Sequence, residues 1–428
     1  MKSFKKSEAA LARAEKTIPL GSQTFSKSRT QYPYGVSPYF ITHAKGSRVW
    51  DVDGNEYIDF VSSLASITLG YQDPDVTDAV RTQLDSGVIF SLPHPLEAEV
   101  AELICEMVPC AEMVRFGKNG SDATSGAIRV ARAFTGRDHV AVCGYHGWQD
   151  WYIGSTARNR GVPAATRALT HTFAYNDLES LRKVLAQQPG GFAAVILEPM
   201  NVALPQPGFL EGVKALAHEH GALLVFDETI TGFRYANGGA QAFFGVTPDL
   251  ATFGKGLANG YPVSAVAGRR DVMKLMEEIF FSFTFGGETL SLAAAKATLL
   301  KLKREPVAET LAARGNAILA GAGEVIRAHR LEDVFSLSGH PSWTFLNLKE
   351  ARGHSVFEIK TLLMQEMHQR GFLTVGTHNV NYAHSEADIA ALVSAYGEVL
   401  PMIGQALDRG QLRSLLRCEP LVPLFKLR

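Results

Sequence analysis

Lys255 stands between two glycines in DLATFGKGLANG (249–260), directly after a short apolar run. Most lysines lie on solvated helix faces. This one follows a run that reads as buried, in a turn with room for a large group beside it. Asp227 is placed in the same way: it ends ALLVFD (222–227) and is followed by Glu228. An acid that terminates a fully apolar strand is costly unless it meets a cation. After MVRF (113–116), the stretch GKNGSDA brings Gly120 and Ser121 to the start of a helix. Backbone N–H groups and the helix dipole favour an anion there. After HVAVC (139–143), GYHGWQDW puts Tyr145 and His146 in a glycine-flanked turn, where a ring could stack on a planar group. Each residue also has a plain reading: a surface lysine, an acid paired elsewhere, a helix-capping serine and a core aromatic.

Taken together, the four places supply an anion cradle, a stacking aromatic, an acid for a ring nitrogen and a lysine. These are the parts that pyridoxal phosphate needs. The lysine forms the Schiff base, and the acid keeps the pyridinium protonated so that the ring draws electrons. A buried lysine also loses its proton readily, which suits attack and proton shuttling. A nucleotide-binding P-loop is not indicated, because FGKNGS carries its lysine on the wrong side of the loop.

The elements that must position these residues alternate between strands and helices. MVRF leads into the helix DATSGAIRVARAFTG, whose apolar positions 123, 127, 130, 131 and 134 form one face. HVAVC, FAAVILE (192–198), ALLVFD, LATF (250–253) and VSAVAG (263–268) are short, nearly continuous apolar runs. Such strands suit a mainly parallel sheet buried on both faces, with ligands bound outside the carboxyl ends of its strands. SRVWDVDGNEYIDF reads as a hairpin turning at DG. From about residue 300 the texture changes to long charged helices with a few strands such as SWTFLNL. The expected division is therefore an N-terminal segment, 1–60, that joins a small domain; a large cofactor-binding domain, 61–300; and a C-terminal small domain, 301–428.

The chain has 428 residues, 46% of them hydrophobic and 20% charged, with 39 glycines and a net charge of -1. That length exceeds the ~250–300 residues at which one core splits into two. The charge balance gives no reason to expect nucleic acid or a membrane surface as partner. No apolar run approaches the ~20 residues of a span. No apolar signal-peptide core follows the basic N-terminus. Cys105, Cys110, Cys143 and Cys418 lack metal-site spacing and are expected as reduced thiols of a cytoplasmic protein. HEH (218–220) falls near the end of an amphipathic helix and reads as a solvated face rather than a metal site.

DETITGFR (227–234), PDLATFGKGLANGYPVSAVAG (248–268), NGSDATSGAIRVARAFTGRD (119–138), YHG (145–147), LEP (197–199) and VWDVDGNEYIDF (49–60) resemble the class-III aminotransferases of the fold-type-I pyridoxal phosphate enzymes. The nearest branch is the glutamate-1-semialdehyde aminomutase-like one. The resemblance implies an α/β fold-type-I transferase: a large domain around a mainly parallel seven-stranded sheet, and a smaller α+β domain built from both termini. It implies that Lys255 is the Schiff-base lysine and proton-transfer base, and that Asp227 pairs the pyridinium nitrogen. Gly120 and Ser121 would hold the phosphate. Tyr145 would stack on the ring with His146 close by, and Glu198 and Asn201 would lie near its edge. Thr284, in FSFTFGGET, matches a threonine that reaches the neighbouring subunit's phosphate, so a homodimer with interfacial sites is implied. Asp122 and Glu228 are expected behind these groups, and Arg234 is a candidate for a donor carboxylate.

Three departures bear on substrate. Leu64 stands where the aminomutases carry a tryptophan. Lys27 and Arg29, in GSQTFSKSRT, only approximate their carboxylate-binding arginine. GTHNVNYAH (376–384) offers Thr377, His378 and Asn379 where they carry a glutamate. The expectation is ping-pong amino transfer from an amino acid, glutamate by analogy, to a sugar-like or polyhydroxylated carbonyl. Such substrates need many neutral hydrogen-bonding partners. An aminomutase and a non-catalytic cofactor-binding protein are the alternatives.

Overall fold

The computed structural model describes residues 2–422. The chain divides into two compact units, one made of residues 1–73 and 309–428, the other of residues 74–308. These divisions fall 13 and 8 residues beyond the expected 60/61 and 300/301. The later one is shifted because the helix Thr289–Arg304 runs unbroken past residue 300.

The 74–308 unit is built on a seven-stranded sheet. From one edge its order is Met113–Gly117, Ser264–Gly268, Leu250–Phe253, Leu223–Asp227, Phe192–Leu197, His139–Cys143 and Thr170–Thr172. Ser264–Gly268 runs antiparallel to both neighbours, and the other pairings are parallel. Its reversal follows from the short link after Phe253, since a parallel return needs a crossover of a dozen residues or more. Thr170–Thr172 has no apolar run to announce it, being a three-residue edge strand of THT.

The central strands are buried along their whole length. Val142, Ile196 and Val225 face the helix Gly120–Thr135 on one side, where Ala123, Ala127, Val130 and Ala131 are buried. Ala141, Val195, Leu224 and Phe226 face Leu181 and Val213 of two other helices on the opposite side. Both faces are therefore dry, which is why alternation is absent from the sequence of these strands. Each fully buried Val, Leu or Phe contributes about 1.5–3 kcal/mol. The fifth expected face position, Phe134, is 38% exposed and lies under the Arg269 guanidinium.

The unit formed by the two termini is α+β. Its hairpin, Arg48–Asp51 with Glu56–Asp59, turns at Gly54, and Asp51 accepts the Asn55 N–H at 2.8 Å. Ile41–Lys45 and Phe372–Leu373 complete a four-stranded sheet, and Phe335–His340, Trp343–Leu348 and Thr377–Asn379 form a second sheet. Glu386–Asp408 is the one described helix with the length and hydropathy of a membrane span. It carries Pro401, and Leu392, Tyr396, Val399 and Ile403 are buried within the unit.

After the hairpin, Ser62, Ser63, Leu64 and Ala65 all have positive φ, from 43° to 65°. This is one left-handed helical turn, which costs L-residues roughly 1–2 kcal/mol each. It is held from outside. Asp59 accepts the Val61 and Ser62 N–H groups at 2.7 and 3.0 Å. Ser62 Oγ donates to the Asn379 carbonyl at 2.7 Å, and Asn379 Nδ2 donates to the Val61 carbonyl at 2.6 Å.

Candidate active site

Asp227 and Lys255 reach one region from neighbouring strands. Asp227 ends its own strand, and Lys255 follows Leu250–Phe253 with one residue, Gly254, between. Thr252 pairs with Asp227 in register. Lys255 itself has φ +41°, an uncommon backbone for lysine, at the start of a short 3-10 turn. Burial holds its amine below the ordinary lysine value, while the carboxylates of Glu198 and Asp227 act in the opposite sense.

Asp227 is 5% exposed. Burial alone would push its carboxyl up. Hydrogen bonding and attraction from His146, with hydrogen bonds from Thr229, outweigh burial and hold it below the usual range. His146 Nδ1 lies 2.8 Å from Asp227 Oδ2, and its Nε2 lies 3.2 Å from the Cys143 carbonyl. Oδ1 accepts from the Thr229 N–H at 3.1 Å, the Thr229 hydroxyl at 2.6 Å and the Thr252 hydroxyl at 3.2 Å.

Glu198 follows the strand Phe192–Leu197 and accepts from the Tyr145 N–H and from Asn201 Nδ2, both at 2.9 Å. Burial raises its carboxyl, and Asp227 adds to the rise. Gly144, at φ +107°, is required beneath it, because a Cβ there would sit 2.5 Å from Glu198 Oε2. Tyr145 is 61% exposed and edge-on to Tyr152.

Gly120 and Ser121 are the first residues of Gly120–Thr135, where an α-helix leaves N–H groups without intrahelical partners. Asn119, not Ser121, is the residue that caps this helix. Asp122 accepts the Asn119 N–H at 2.7 Å and so is part of that cap. Lys118 is turned away to Glu288 at 3.0 Å. Among the described residues Ser264 Oγ is buried without a hydrogen-bond partner, 2.9 Å from where a Cβ on Gly117 would fall.

Glu228 is a structural carboxylate. It accepts from Thr231 Oγ1 at 3.0 Å and from Gln241 Nε2 at 3.0 Å, and it also takes the Ala240 and Gln241 N–H groups. Arg234 is 1% exposed, and burial lowers its guanidinium to about 10. Thr284 is exposed in a loop, between Phe283 and Phe285.

The remaining residues singled out in the sequence lie in the unit of the two termini. Lys27 Nζ is 3.5 Å from Ser63 Oγ, and Arg29 pairs with Glu15 at 2.5 Å. His378 is fully buried, and its two ring nitrogens meet Thr344 Oγ1 and the Tyr396 hydroxyl at 2.8 and 2.6 Å. It has no nitrogen left for a substrate. Asn379 is 4% exposed and has spent its amide nitrogen on the left-handed turn. Thr377 keeps a partly exposed position. Among the described residues no cluster of three or more metal-ligating side chains occurs, and His218 is instead bonded to Asp249 at 2.8 Å.

This geometry suits an aldehyde cofactor carrying a phosphate and a basic ring nitrogen. The amine is depressed, the acid is ionised, the helix start faces the same strand tips, and Ser264 leaves an orphan hydroxyl in the cradle. Comparison with known proteins agrees. Residues 31–380 match the family model described as Aminotransferase class-III. A 3-aminobutyryl-CoA aminotransferase of Cloacimonas acidaminovorans is 35% identical over 404 residues, covering 92% of this chain and 96% of the relative. A glutamate-1-semialdehyde 2,1-aminomutase of Roseiflexus castenholzii is 37% identical over 445 aligned positions, covering 96% and 100%. The pyridoxal phosphate form of the FumI protein of Sphingopyxis sp. MTA144 superposes with a TM-score of 0.87 at 29% identity, covering 97% of this chain and 99% of that one. The chain belongs to the class-III aminotransferases, and it is a pyridoxal-phosphate-dependent enzyme of fold type I. A non-catalytic binding protein is thereby set aside.

Proposed function

We propose that this enzyme transfers an amino group from an amino acid, glutamate by default, to a sugar-like or polyhydroxylated carbonyl compound, in two half-reactions. When bound, pyridoxal phosphate supplies an aldehyde that takes up the amino group and a protonated ring that draws electrons from the reacting carbon. Lys255 Nζ, its pKa lowered by burial, serves as the base that would take the proton from that carbon and hand it to the carbon that had been the aldehyde's. Asp227 keeps its negative charge for the ring nitrogen. The first-turn N–H groups of Gly120 and Ser121, with Ser264 Oγ, receive the phosphate. Tyr145 offers a ring face, and Glu198 with Asn201 borders it. The observation that carries amino transfer is the placing of the depressed Lys255 amine and the ionised Asp227 at adjacent strand tips.

The acceptor class is supported by the state of the two candidate counter-charges. Arg29 pairs with Glu15, and Lys27 is exposed with its Nζ 3.5 Å from the Ser63 hydroxyl and its charge felt by Asp59. Thr377 and Ser63 are neutral hydrogen-bonding groups of the kind a hydroxyl-rich acceptor needs. A second reading takes its support from the Cloacimonas relative, whose name points to an amine two carbons from an acyl carbonyl. An aminomutase is the third.

A homodimer is proposed as the working form, in the cytoplasm. Phe280, Phe283 and Phe285 are 83%, 37% and 57% exposed around Thr284, and Leu92 is 79% exposed. Thr289 joins the two loops by donating to the Val88 carbonyl at 2.9 Å. An apolar patch of this kind marks an interaction surface. The four cysteines are free thiols, which supports a reducing compartment.

The test is a panel of amines added to the yellow holoenzyme, scored by loss of the cofactor colour. Amino sugars and glutamate should both discharge it. Response to β-amino acids or their thioesters alone would move the assignment to the second reading. Turnover of an amino aldehyde without any external donor would establish the aminomutase.

A further inference from the structure

Thr229 lies two residues beyond Asp227, and sequence reading gave it no role. Its hydroxyl donates to Asp227 Oδ1 at 2.6 Å, and its own N–H donates to the same oxygen at 3.1 Å. Thr252 adds a third donor to Oδ1 at 3.2 Å. Among the described residues Oδ2 is met by His146 alone, at 2.8 Å. A carboxylate oxygen has two lone pairs. Oδ1 is therefore saturated, and Oδ2 is the oxygen with capacity for one more donor.

The other branch of the same side chain meets two more parts of the site. A Cβ on Gly120 would fall 2.9 Å from the Thr229 methyl, and one on Gly254 would fall 3.3 Å from it. Gly120 begins the anion-binding helix, and Gly254 precedes Lys255. One threonine thus touches the acid, the helix start and the lysine turn.

We propose that Thr229 is a positioning residue for the cofactor: its hydroxyl selects Oδ2 of Asp227 as the oxygen offered to the ring nitrogen, and its methyl packs the helix start against the lysine turn. This rests on the assignment of Asp227 to that nitrogen. The hydroxyl also favours the charged carboxylate, since hydrogen bonds to an ionised acid stabilise it against protonation. The two branches have separable effects. Thr229→Val keeps the shape and loses the hydroxyl. Thr229→Ser keeps the hydroxyl and loses the methyl.

The experiment titrates the absorption of the bound cofactor with pH in wild type, Thr229→Val, Thr229→Ser and Asp227→Asn, and measures pyridoxal phosphate affinity for each. Asp227→Asn should displace the titration. Thr229→Val should displace it in the same direction by about one pH unit, a tenfold change in the proton equilibrium. Thr229→Ser should titrate like wild type and bind the cofactor several-fold more weakly. A Thr229→Val titration that overlays wild type while Asp227→Asn is displaced would overturn the proposal. So would equal displacement in the valine and serine variants, which would reduce Thr229 to a packing residue. If Asp227→Asn leaves the titration unmoved, the assignment of Asp227 fails, and the role given to Thr229 fails with it.

Discussion

A lysine with its backbone at φ +41° and its amine depressed by burial is expensive to keep. Without a covalent partner the expense has no return. Lys255→Ala should lower turnover at least about 10²-fold from loss of the base alone. Borohydride reduction followed by peptide mapping should mark residue 255 in the wild type and nothing in the variant; a mark elsewhere would reassign the lysine. Lys255 and Asp227 were legible in the sequence because a charge that ends an apolar strand cannot be left to solvent. Thr229 and Ser264 were not, since a hydroxyl is common enough to signal nothing until its partners are known. His378 and Asn379 show what sequence polarity leaves open: both ring nitrogens of His378 are taken by Thr344 and Tyr396, whereas Asn379 gives its amide N–H to Val61 and, among the described residues, keeps Oδ1 buried without a partner.

Among the elements, the strands were readable from continuous apolar runs, and the hairpin from DG. The antiparallel sense of Ser264–Gly268 needed the length of its link as well as its composition. The left-handed turn has no signature at all, because SSLA contains neither glycine nor asparagine. The loop entering Leu250–Phe253 carries a charge cluster at the ends of two interior strands of the sheet. Asp249 accepts from the Leu224 N–H at 2.8 Å and pairs with Arg269 at 2.7 Å and His218 at 2.8 Å. Burial pushes its carboxyl up, but Arg269 and His218 outweigh that and leave it depressed. A depressed acid stabilises the fold above its unfolded pKa, about 4, and that contribution is lost as pH falls through the folded value. Asp249→Asn should therefore cost about 1–3 kcal/mol at pH 7, toward the low end because Arg269 and His218 are both partly solvated. The gap between thermal melts of the two proteins should begin to close as pH falls below about 4 and keep closing as pH drops further. A constant gap across the range would show that charge is not the cause.

For the whole molecule, length alone predicted more than one core, whereas the bounds of the two compact units, at 73/74 and 308/309, have no mark in the composition. Assembly is where the sequence speaks only through its relatives. Exposed phenylalanines beside Thr284 make it a physical expectation. Phe280→Asp with Phe285→Asp should shift sedimentation from dimer to monomer and weaken retention of pyridoxal phosphate through gel filtration. Monomeric wild type of full activity would refute the dimer.

The left-handed turn at Ser62–Ala65 leaves a mark on how this protein can change. Glycine or asparagine would sit there more comfortably than any residue it now carries. Its shape is nonetheless clamped by a distant stretch of chain, so a deletion or insertion in either partner breaks both. Diversification at Leu64 must therefore proceed by exchanging side chains on a backbone of fixed length, and a library built with variable loop lengths would be mostly dead.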